Sequence, residues 1–464
     1  MTLRSLCLQT LLISLVASLG ACSDSKSDPP AVPQGPAITS ASAVAVSGRN
    51  VRLTWKTQAD AEVVVERQDA SSGPYVEIAR RAGEHGQMLD LALLPSTTYS
   101  YRLKACKAEL CGEPALPDPV QTRGSSLPTT ELTVSEPGFT DDILVMGVAG
   151  LADNYAGIGH MMALDRTGRI IWEYENNKEG LITEVHALPG GRLGAEQLIS
   201  LVDIDLDGTV VKKFTELPAH HALQVLSDGR YAALTFDRIQ QSGKGVLLGD
   251  GVAIISADWS AVDWQWLTRD HIDMGDVCPL CINDDPYHLG KDWTHANGLT
   301  VMMDEAEQKL KLYVNIRNLN RIYRIDYPSG NIDWVMGDGG DFGAGLWSHS
   351  HCPEFLPGNR VLLLDNGLHR AGGEEFSRVI EVAYDPAQKK ADIVWEYRET
   401  PDFYSFALGA VHRQDNGNTF IADGYSGRLL EVTPDKKKVW ELKLQQNYGT
   451  YKAIVVPKDF FSSW

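Results

Sequence analysis

The amino-acid sequence predicts an all-β protein in which a six-bladed β-propeller is preceded by a small β-sandwich. One strand–turn–strand pattern recurs six times after about residue 140, and each copy closes on an aromatic residue. In the segments before that point, apolar and polar residues alternate as they do in half-buried strands. The repeats lack the 3.6-residue periodicity of amphipathic helices.

The repeated unit consists of a strand end, a polar turn that usually carries Asp or Gly, and a strand that closes on the aromatic. LDRTGRIIWEY from residue 164 and VTPDKKKVWEL from residue 432 are two copies. The aromatics recur every 42 to 68 residues, whereas a four-stranded blade takes roughly 40 to 50, so the longer intervals predict loop insertions. We expect the propeller over residues 140–464. The closing aromatics are Trp172, Phe214, Trp266, Trp334, Trp395 and Trp440.

Residues 37–123 have the pattern of a small sandwich, with alternating segments such as NVRLTWK and EVVVERQ. Trp55 in an early strand and Tyr99 after LLPSTT resemble the core tryptophan and the tyrosine corner of fibronectin type III domains. The resemblance implies a fibronectin type III-like domain and favours a spacer or docking role. Residues 124–139 are expected to form a linker.

The first residues predict where the protein works. A basic start is followed by an apolar run that is too short for a convincing membrane span, which is typical of a signal peptide, here residues 1–21. LGAC at residues 19–22 resembles the lipobox of bacterial lipoproteins, in which the cysteine becomes the lipidated N-terminus. Residues 22–36 suit a flexible tether. We expect a protein of the bacterial cell envelope that is lipid-anchored through Cys22 and periplasmic or surface-exposed; an ordinary signal peptide with a chance cysteine is the alternative.

The remaining cysteines agree with an oxidising compartment. Cys106 and Cys111 lie five residues apart, and Cys278 and Cys281 form CPLC, so two local disulfides are expected and Cys352 is left free. Zinc binding at CPLC is the alternative, but a single CxxC favours it weakly because structural zinc usually takes four ligands.

The net charge of −19 argues against nucleic acid and anionic lipid surfaces as partners, since both attract basic proteins. An anionic substrate would therefore need a local positive site. No motif for a nucleotide, a dinucleotide or a serine nucleophile is present.

Histidines recur at the start of predicted inner strands, although the chain has only 12 of them. The first strand of each propeller blade lines the central channel, so we expect these imidazoles to converge on one axial site. The alternative is that each histidine only braces its own blade. The segments are HALPGGR from His186, HHALQV from His220, HANGLTV from His295, HCPEFLPGNR from His351 and HRQDNGN from His412.

Three motifs in order, DWTHANGL, SHSHCPEFLPGNRVLLLDNGLHR and GAVHRQDNGNTFIADG, resemble the bacterial aryl-sulfate sulfotransferases that need no nucleotide sulfate donor. The resemblance covers about residues 140–464. It implies a six-bladed propeller that binds a phenolic sulfate ester at its centre. It also implies that a histidine accepts the sulfuryl group, that a phenol then takes it away in a ping-pong reaction, and that no cofactor or metal takes part.

By the same resemblance, His412 is the nucleophile, and His295, His351 and Arg370 surround the sulfuryl oxygens. Attack by His351 is the alternative. Pro353 stands where a polar neighbour of the second motif is expected. The residues expected to contact substrate are Asn297, His349, Asn366, His186 and His221, with an aromatic wall from Phe403, Tyr404 and Phe406.

The chemistry of sulfuryl transfer fits these residue types. Negative charge is spread over three oxygens in transfer, so positioning and cationic donors dominate catalysis, as in phosphoryl transfer. Neutral imidazole is a competent nucleophile, and another histidine can transfer protons near neutral pH. Two other functions stay open: a hydrolase whose metal is held by the inward histidines, and a non-catalytic propeller that binds a ligand or partner.

The lipobox-like motif generates a test. Cys22→Ala should release or misprocess the protein, because the thiol that carries the lipid is lost. The measurement is membrane fractionation and N-terminal mass analysis in the native host. A wild-type protein that is soluble and unmodified in that host would contradict the expectation.

Overall fold

The computed structural model describes residues 35–69, 73–151, 159–176, 182–197, 199–243, 245–282, 289–343 and 345–463. The expected signal peptide, Cys22 and almost all of the tether lie outside these residues. Within the described part of the chain, no helix is both long and apolar enough to cross a membrane.

The N-terminal unit is a sandwich of two antiparallel sheets. Inward and outward positions alternate along its second strand, where Val51, Leu53 and Trp55 are buried. One sheet has the order β1-β2-β5, and the other has the order β4-β3-β6-β7 with β8 also paired to β6. The strands are β1 (Ile38–Ala45), β2 (Val51–Thr57), β3 (Glu62–Gln68), β4 (Val76–Ala82), β5 (His85–Asp90), β6 (Thr98–Lys107), β7 (Leu110–Cys111) and β8 (Val120–Gln121).

Two residues singled out in the sequence hold this sandwich together. Trp55 is buried in its core, and its ring lies so close to Gly86 that a Cβ there would be 2.2 Å from a ring carbon. The Tyr99 hydroxyl accepts a hydrogen bond from the backbone N–H of Leu94 at 2.9 Å, as in a tyrosine corner. The expected disulfide between Cys106 and Cys111 joins β6 to β7.

The rest of the chain forms six antiparallel sheets of four main strands, and the predicted six-bladed propeller is confirmed. Blade one contains β10 (Ile143–Gly150), β11 (Gly159–Leu164) and β12 (Ile170–Asn176); blade two contains β13 (Ile182–Leu188), β14 (Arg192–Gln197), β15 (Ser200–Ile204) and β16 (Val210–Phe214). Blade three contains β17 (Ala219–Val225), β18 (Tyr231–Gln241), β19 (Gly245–Ile255) and β20 (Val262–Leu267), with β21 (Lys291–Asp292) parallel to β19.

The later blades follow the same order. Blade four contains β22 (Ala296–Asp304), β23 (Lys309–Ile316), β24 (Arg321–Asp326) and β25 (Ile332–Gly337); blade five contains β26 (His351–Leu356), β27 (Arg360–Asp365), β28 (Arg378–Asp385) and β29 (Lys390–Tyr397). Blade six contains β30 (Ala410–Arg413), β31 (Thr419–Asp423), β32 (Arg428–Val432) and β33 (Lys438–Leu444). The described residues also form three short 3₁₀ helices, Thr268–Asp270, Arg317–Leu319 and Phe460–Ser463.

Both ends of the propeller segment take part in closing the ring. The C-terminal strand β35 (Ala453–Val456) pairs with β10 and supplies the innermost strand of blade one, and β34 (Tyr448–Gly449) pairs with β10 beside it. Strand β9 (Thr130–Ser135), which lies in the segment predicted as a linker, pairs with β33 as an extra outer strand of blade six. The linker expectation was wrong for these residues, because their backbone groups pair with an otherwise open sheet edge.

The closing aromatics join neighbouring blades. In four blades the indole N–H of the closing tryptophan donates a hydrogen bond to a backbone carbonyl in the outer hairpin of the next blade. These bonds are Trp172 to Leu206 (2.7 Å), Trp266 to Gly330 (3.1 Å), Trp395 to Pro434 (2.9 Å) and Trp440 to Arg166 (2.8 Å). The closing tryptophans, which mark the repeat in the sequence, are thus also the residues that connect one blade to the next.

The sandwich packs on the outer strand of blade one. Asn50 donates a hydrogen bond to the Ile171 carbonyl, and the buried Glu173 carboxylate accepts one from Ser125 at 2.6 Å. Burial is the main cause that raises the pKa of Glu173, against the opposing effect of its hydrogen bonds and of Arg49. The two units therefore share a polar, partly buried contact.

Trp440 closes the ring between blades six and one, so Trp440→Ala should cost about 3–5 kcal/mol of unfolding free energy, as expected for a fully buried tryptophan. Trp264→Ala is the matched control, because Trp264 makes a similar bond to Pro328 from a partly exposed position. Urea unfolding followed by circular dichroism measures both. Equal decreases in the free energy of unfolding of the two variants would contradict a special role for Trp440 in closing the ring.

Candidate active site

The inner strands run in one direction along the channel, so their first residues share one end and their last residues share the other. His221, His295 and His351 lie at or beside the beginnings of β17, β22 and β26. We call these three the axial histidine cluster. The ring centres of His221 and His295 are 5.4 Å apart, and Tyr451 lies 4.8 Å from His221 and 6.0 Å from His351.

The backbone bulges where these histidines are placed. The pairing register shifts between His220 and Leu223, between Ala296 and Gly298, and between His351 and Glu354. A β-bulge re-aims side chains, and bulges are enriched beside active sites.

Several histidines in this region have left-handed backbone angles, with φ of +57° at His221, +51° at His295 and +56° at His349. Such angles are uncommon for residues other than glycine and accumulate at functional sites. The histidines are therefore held in place by local backbone conformations that cost free energy.

His295 is oriented by a carboxylate. Its Nδ1 lies 2.5 Å from Oδ2 of the buried Asp292, which also accepts a hydrogen bond from Asn318. Burial acts to raise the pKa of Asp292, but the charge and hydrogen bond of His295 and the charge of Arg317 outweigh it and leave that pKa lowered. With its Nδ1–H directed at Asp292, His295 has Nε2 available for a substrate.

His221 is held in the same way through a second histidine. Nδ1 of His220 and Nδ1 of His221 are 2.8 Å apart, and Nε2 of His220 lies 3.0 Å from the Asp250 carboxylate. One of the two Nδ1 atoms therefore carries a proton that the other accepts, which fixes the orientation of the His221 ring.

His351 is anchored by an amide. Its Nδ1 donates to Oδ1 of Asn366 at 2.8 Å, and Asn366 is itself fixed because its Nδ2 donates to the Ser405 and Leu408 carbonyls. Nε2 of His351 accepts a longer hydrogen bond, 3.2 Å, from the Leu408 N–H. Asn366, predicted to contact substrate, is therefore the residue that sets the tautomer of His351.

The positive charge of the site comes from Arg317, which the sequence analysis missed. Arg317 is buried, its backbone N–H donates to the His295 carbonyl, and its guanidinium donates to Asn318. Burial is the main cause that lowers the pKa of both His221 and His351 well below the usual range, and the charge of Arg317 adds to the effect in each. Both imidazoles are therefore neutral at pH 7.

The signal for Arg317 was present in the sequence. It follows the apolar strand LKLYVNI in the blade that begins at His295, much as Arg370 follows VLLLDNG in the next blade. The family-like motif drew attention to Arg370 instead.

The structure does not place Arg370 as expected. Its guanidinium lies 3.0 Å from the Asp365 carboxylate, donates to the Phe376 carbonyl and stacks on the Phe376 ring. Its charge is thus balanced by Asp365, and Arg317, not Arg370, contributes to the lowered pKa values of His221 and His351.

His412 and His186 are not part of the axial histidine cluster, which corrects the expectation that five histidines converge. Both lie near the ends of their strands, and Nδ1 of His412 is 2.9 Å from the Glu354 carboxylate. Glu354 lies three residues beyond His351, roughly 7–10 Å along the strand. The hydrogen bond of Glu354 raises the pKa of His412, and 47% of the His412 side chain is exposed.

His186, near the end of its own strand, belongs to a buried polar group. Its Nε2 lies 3.2 Å from Glu184, whose carboxylate also pairs with Lys452 at 3.3 Å and lies 3.9 Å from the free Cys352 thiol. Burial is the main cause that raises the pKa of Cys352 to about 12, so this thiol is not a nucleophile at neutral pH.

Asn297 and the three aromatic residues expected to form a wall differ in burial. Asn297 is fully buried and donates to the Ser350 carbonyl at 3.0 Å, so it fixes the backbone beside His351. Phe403 is buried in the core between blades five and six. Tyr404 is partly exposed and donates to Glu375, and Phe406 packs on Tyr425 with ring centres 4.3 Å apart.

The expected disulfide between Cys278 and Cys281 is present, and it borders this region. Nε2 of His349 lies 3.0 Å from Cys281 Sγ and 3.9 Å from Cys278 Sγ. Burial and the charge of Arg317 lower the pKa of His349 to about 3. His349, expected to contact substrate, instead faces the two sulfurs.

Two neutral imidazoles, those of His221 and His351, lie with His295 and one buried guanidinium in a site suited to a group whose negative charge is spread over several oxygens. Fold and site thus define a propeller with an axial histidine–arginine centre. The chain belongs to the arylsulfotransferase (ASST) family, whose model matches residues 143–453.

No curated protein matches the chain significantly. Among solved structures, a protein of unknown function from Bacteroides caccae is 13% identical, with a TM-score of 0.44, 68% of this chain covered and 99% of that one. The periplasmic gluconolactonase of Pseudomonas aeruginosa is 11% identical, with a TM-score of 0.36 and coverage of 68% and 100%. Virginiamycin B lyase from Staphylococcus aureus, in its structure with quinupristin, is 12% identical, with a TM-score of 0.34, 82% of this chain covered and 99% of that one.

The neutral, buried state of His221 predicts a pH dependence of stability. The pKa of His221 is lowered in the folded protein. Below the ordinary histidine pKa of about 6.5 the unfolded chain therefore binds more protons than the folded protein, and the free energy of unfolding decreases as the pH is lowered. His221→Asn, which tolerates the left-handed angle, should remove part of this acid sensitivity, at most about 2 kcal/mol between pH 7 and pH 5.

The measurement is urea unfolding at both pH values. His85→Asn, at an exposed position on the sandwich, is the control and should keep the wild-type pH dependence. An acid sensitivity that is unchanged in His221→Asn would contradict the assignment.

Proposed function

We propose that this protein transfers the sulfuryl group of a phenolic sulfate ester to a phenolic acceptor by a ping-pong reaction through a sulfohistidine. The observation that carries the proposal is the axial histidine cluster beside Arg317, in a chain of the arylsulfotransferase family. No nucleotide donor is invoked. The aryl groups would lie against partly exposed aromatic side chains such as Tyr404 and Phe406.

Arg317 is the residue proposed to bind the sulfuryl oxygens. A guanidinium offers five N–H donors in a fixed plane, and a buried one acts in a low-dielectric setting where its field is strong. Charge that moves from the ester oxygen to the leaving phenolate and the sulfuryl oxygens is stabilised there. Arg317 would thus supply the local positive charge that an anionic substrate needs in a chain of net charge −19.

His351 is proposed as the sulfuryl acceptor in place of His412. Its Nδ1 is a donor to Asn366, so the lone pair is on Nε2, and its low pKa keeps it neutral. Nε2 attacks sulfur, the bond from sulfur to the aryl oxygen breaks, and the electron pair leaves with the phenolate. Attack requires release of the long hydrogen bond from Leu408, which the sulfuryl group would replace.

His295 is proposed as the proton carrier. Asp292 holds its Nδ1–H, so a proton on Nε2 can pass to the departing phenolate and later be recovered from the acceptor phenol. The second transfer then breaks the nitrogen–sulfur bond as the acceptor oxygen attacks. His221 would donate or accept at the remaining sulfuryl oxygen or phenol.

We also propose that the protein acts in the cell envelope. The support is the lipobox-like motif at residues 19–22 and the two disulfides, which persist in oxidising compartments.

The first test is turnover. The purified protein should release 4-nitrophenol from 4-nitrophenyl sulfate when a second phenol is present, and Arg317→Lys should lower the rate by about 10²–10³ because a point charge replaces the planar donor. Arg370→Lys is the matched control and should change the rate less. Absence of turnover with a panel of aryl sulfates and phenols would favour a binding propeller.

The second test locates the adduct. Incubation with donor alone should add one sulfuryl group to wild type and to His412→Asn, and none to His351→Asn, as seen by intact-mass and peptide mass spectrometry. A label that survives in His351→Asn and disappears in His412→Asn would reverse the assignment. Circular dichroism of each variant checks the fold.

A further inference from the structure

Cys278, Cys281 and His349 form a group of three metal-ligating side chains apart from the axial histidine cluster. Their ligand atoms, the two Sγ atoms and Nε2, lie within 4.8 Å of one another. The two cysteines come from the insertion between blades three and four, and His349 comes from the connection that leads into β26. In the sequence, CPLC offers zinc only two ligands, and His349 lies far from it along the chain.

The hydrogen bonds of His349 determine which nitrogen faces the sulfurs. Ser348 Oγ lies 3.1 Å from Nδ1 of His349, and the single hydroxyl proton of Ser348 is donated to the Leu368 carbonyl. Ser348 therefore accepts the Nδ1–H of His349, and the lone pair of His349 is on Nε2. That lone pair is directed at two sulfur atoms.

The Cys278–Cys281 disulfide offers no hydrogen-bond donor to the Nε2 lone pair of His349. Its sulfurs carry no proton, so a buried imidazole nitrogen and two sulfur atoms meet as acceptors only, with Cys281 Sγ 3.0 Å away. Such a group is satisfied when a proton or a cation lies between its members. Two thiolates and one imidazole are the ligand set of a zinc site with one open position.

The scaffold around the three residues is already ordered. The backbone N–H of His349 donates to Asn320 at 2.7 Å, and the carbonyl of Asp276, two residues before Cys278, accepts from the Trp293 indole at 2.9 Å. Asp276 also pairs with Arg321. Partners of this kind, which orient ligands from behind, raise metal affinity.

We propose that, when the bond between Cys278 and Cys281 is reduced, Cys278, Cys281 and His349 bind one Zn²⁺ with the fourth position left to solvent. Reduction by a phosphine or dithiol supplies two electrons and gives two thiols, and zinc binding then releases their two protons. The sulfurs of the reduced pair must separate to about 3.7 Å, the spacing of two thiolates at about 2.3 Å from a tetrahedral ion. The insertion is thus a redox-dependent metal site.

The experiment uses the whole protein with Cys106→Ser and Cys111→Ser, so that the other disulfide contributes no thiols. The protein is reduced with a phosphine, desalted without oxygen and titrated with Co²⁺ and then Zn²⁺. We expect one equivalent of Co²⁺ with the visible absorption of a tetrahedral thiolate complex, and displacement by Zn²⁺. The oxidised protein should show neither.

Ligand variants and a protection assay decide the outcome. His349→Gln should weaken Co²⁺ binding at least about tenfold, Cys281→Ser should weaken it further, and His369→Asn, whose ring centre is 5.3 Å from that of His349, should not. In the unsubstituted ligand set, Zn²⁺ should slow alkylation of Cys278 and Cys281.

Equal affinity in wild type and His349→Gln, no metal uptake by the reduced protein, or unprotected thiols would each overturn the proposal. Near-ultraviolet circular dichroism verifies that each variant is folded. The alkylation assay needs no variant at the ligands, so it tests the site even where a substitution disturbs the fold. None of these readouts depends on sulfuryl transfer.

Discussion

The propeller depends on hydrogen bonds that pass from one blade to the next. The indole of a closing tryptophan reaches a carbonyl in the outer hairpin of its neighbour, and the last of these bonds, from Trp440 to Arg166, returns from blade six to blade one. Each such tryptophan buries a large apolar surface and satisfies its one donor in the same contact. Because these bonds hold four of the six blades against the next blade, they help to bring the first residues of the inner strands together at one end of the channel.

The candidate site repeats one local device. In each of the three axial histidines Nδ1 is held by a fixed neighbour: Asp292 for His295, Asn366 for His351 and His220 for His221. The imidazoles are thus oriented without any ligand, and burial together with Arg317 keeps two of them neutral. Preorganisation of this kind avoids reorganisation during the reaction.

The sequence was sufficient for the six blades, since a turn and a closing aromatic recur in each, and for the choice of His295 and His351 at the centre. It was insufficient for strand register. HRQDNGN and HCPEFLPGNR look alike, yet His412 pairs with Phe420 near the hairpin turn, whereas His351 pairs with Leu364 at the other end of its strand. Bulges insert residues without a composition signal. Arg317 was missed for another reason: it follows LKLYVNI much as Arg370 follows VLLLDNG, but the family resemblance marked only Arg370.

The closure of blade one has a consequence for how the chain reaches its fold. Strand β10 is made early, but its inner neighbour β35 is the last strand to be synthesised. Until residue 456 has emerged, β10 has an unpaired edge, and β9 has no partner until β33 has been made. The growing chain therefore carries an open sheet edge from the synthesis of β10 until almost its last residue, and a chaperone that shields such edges would act on blade one.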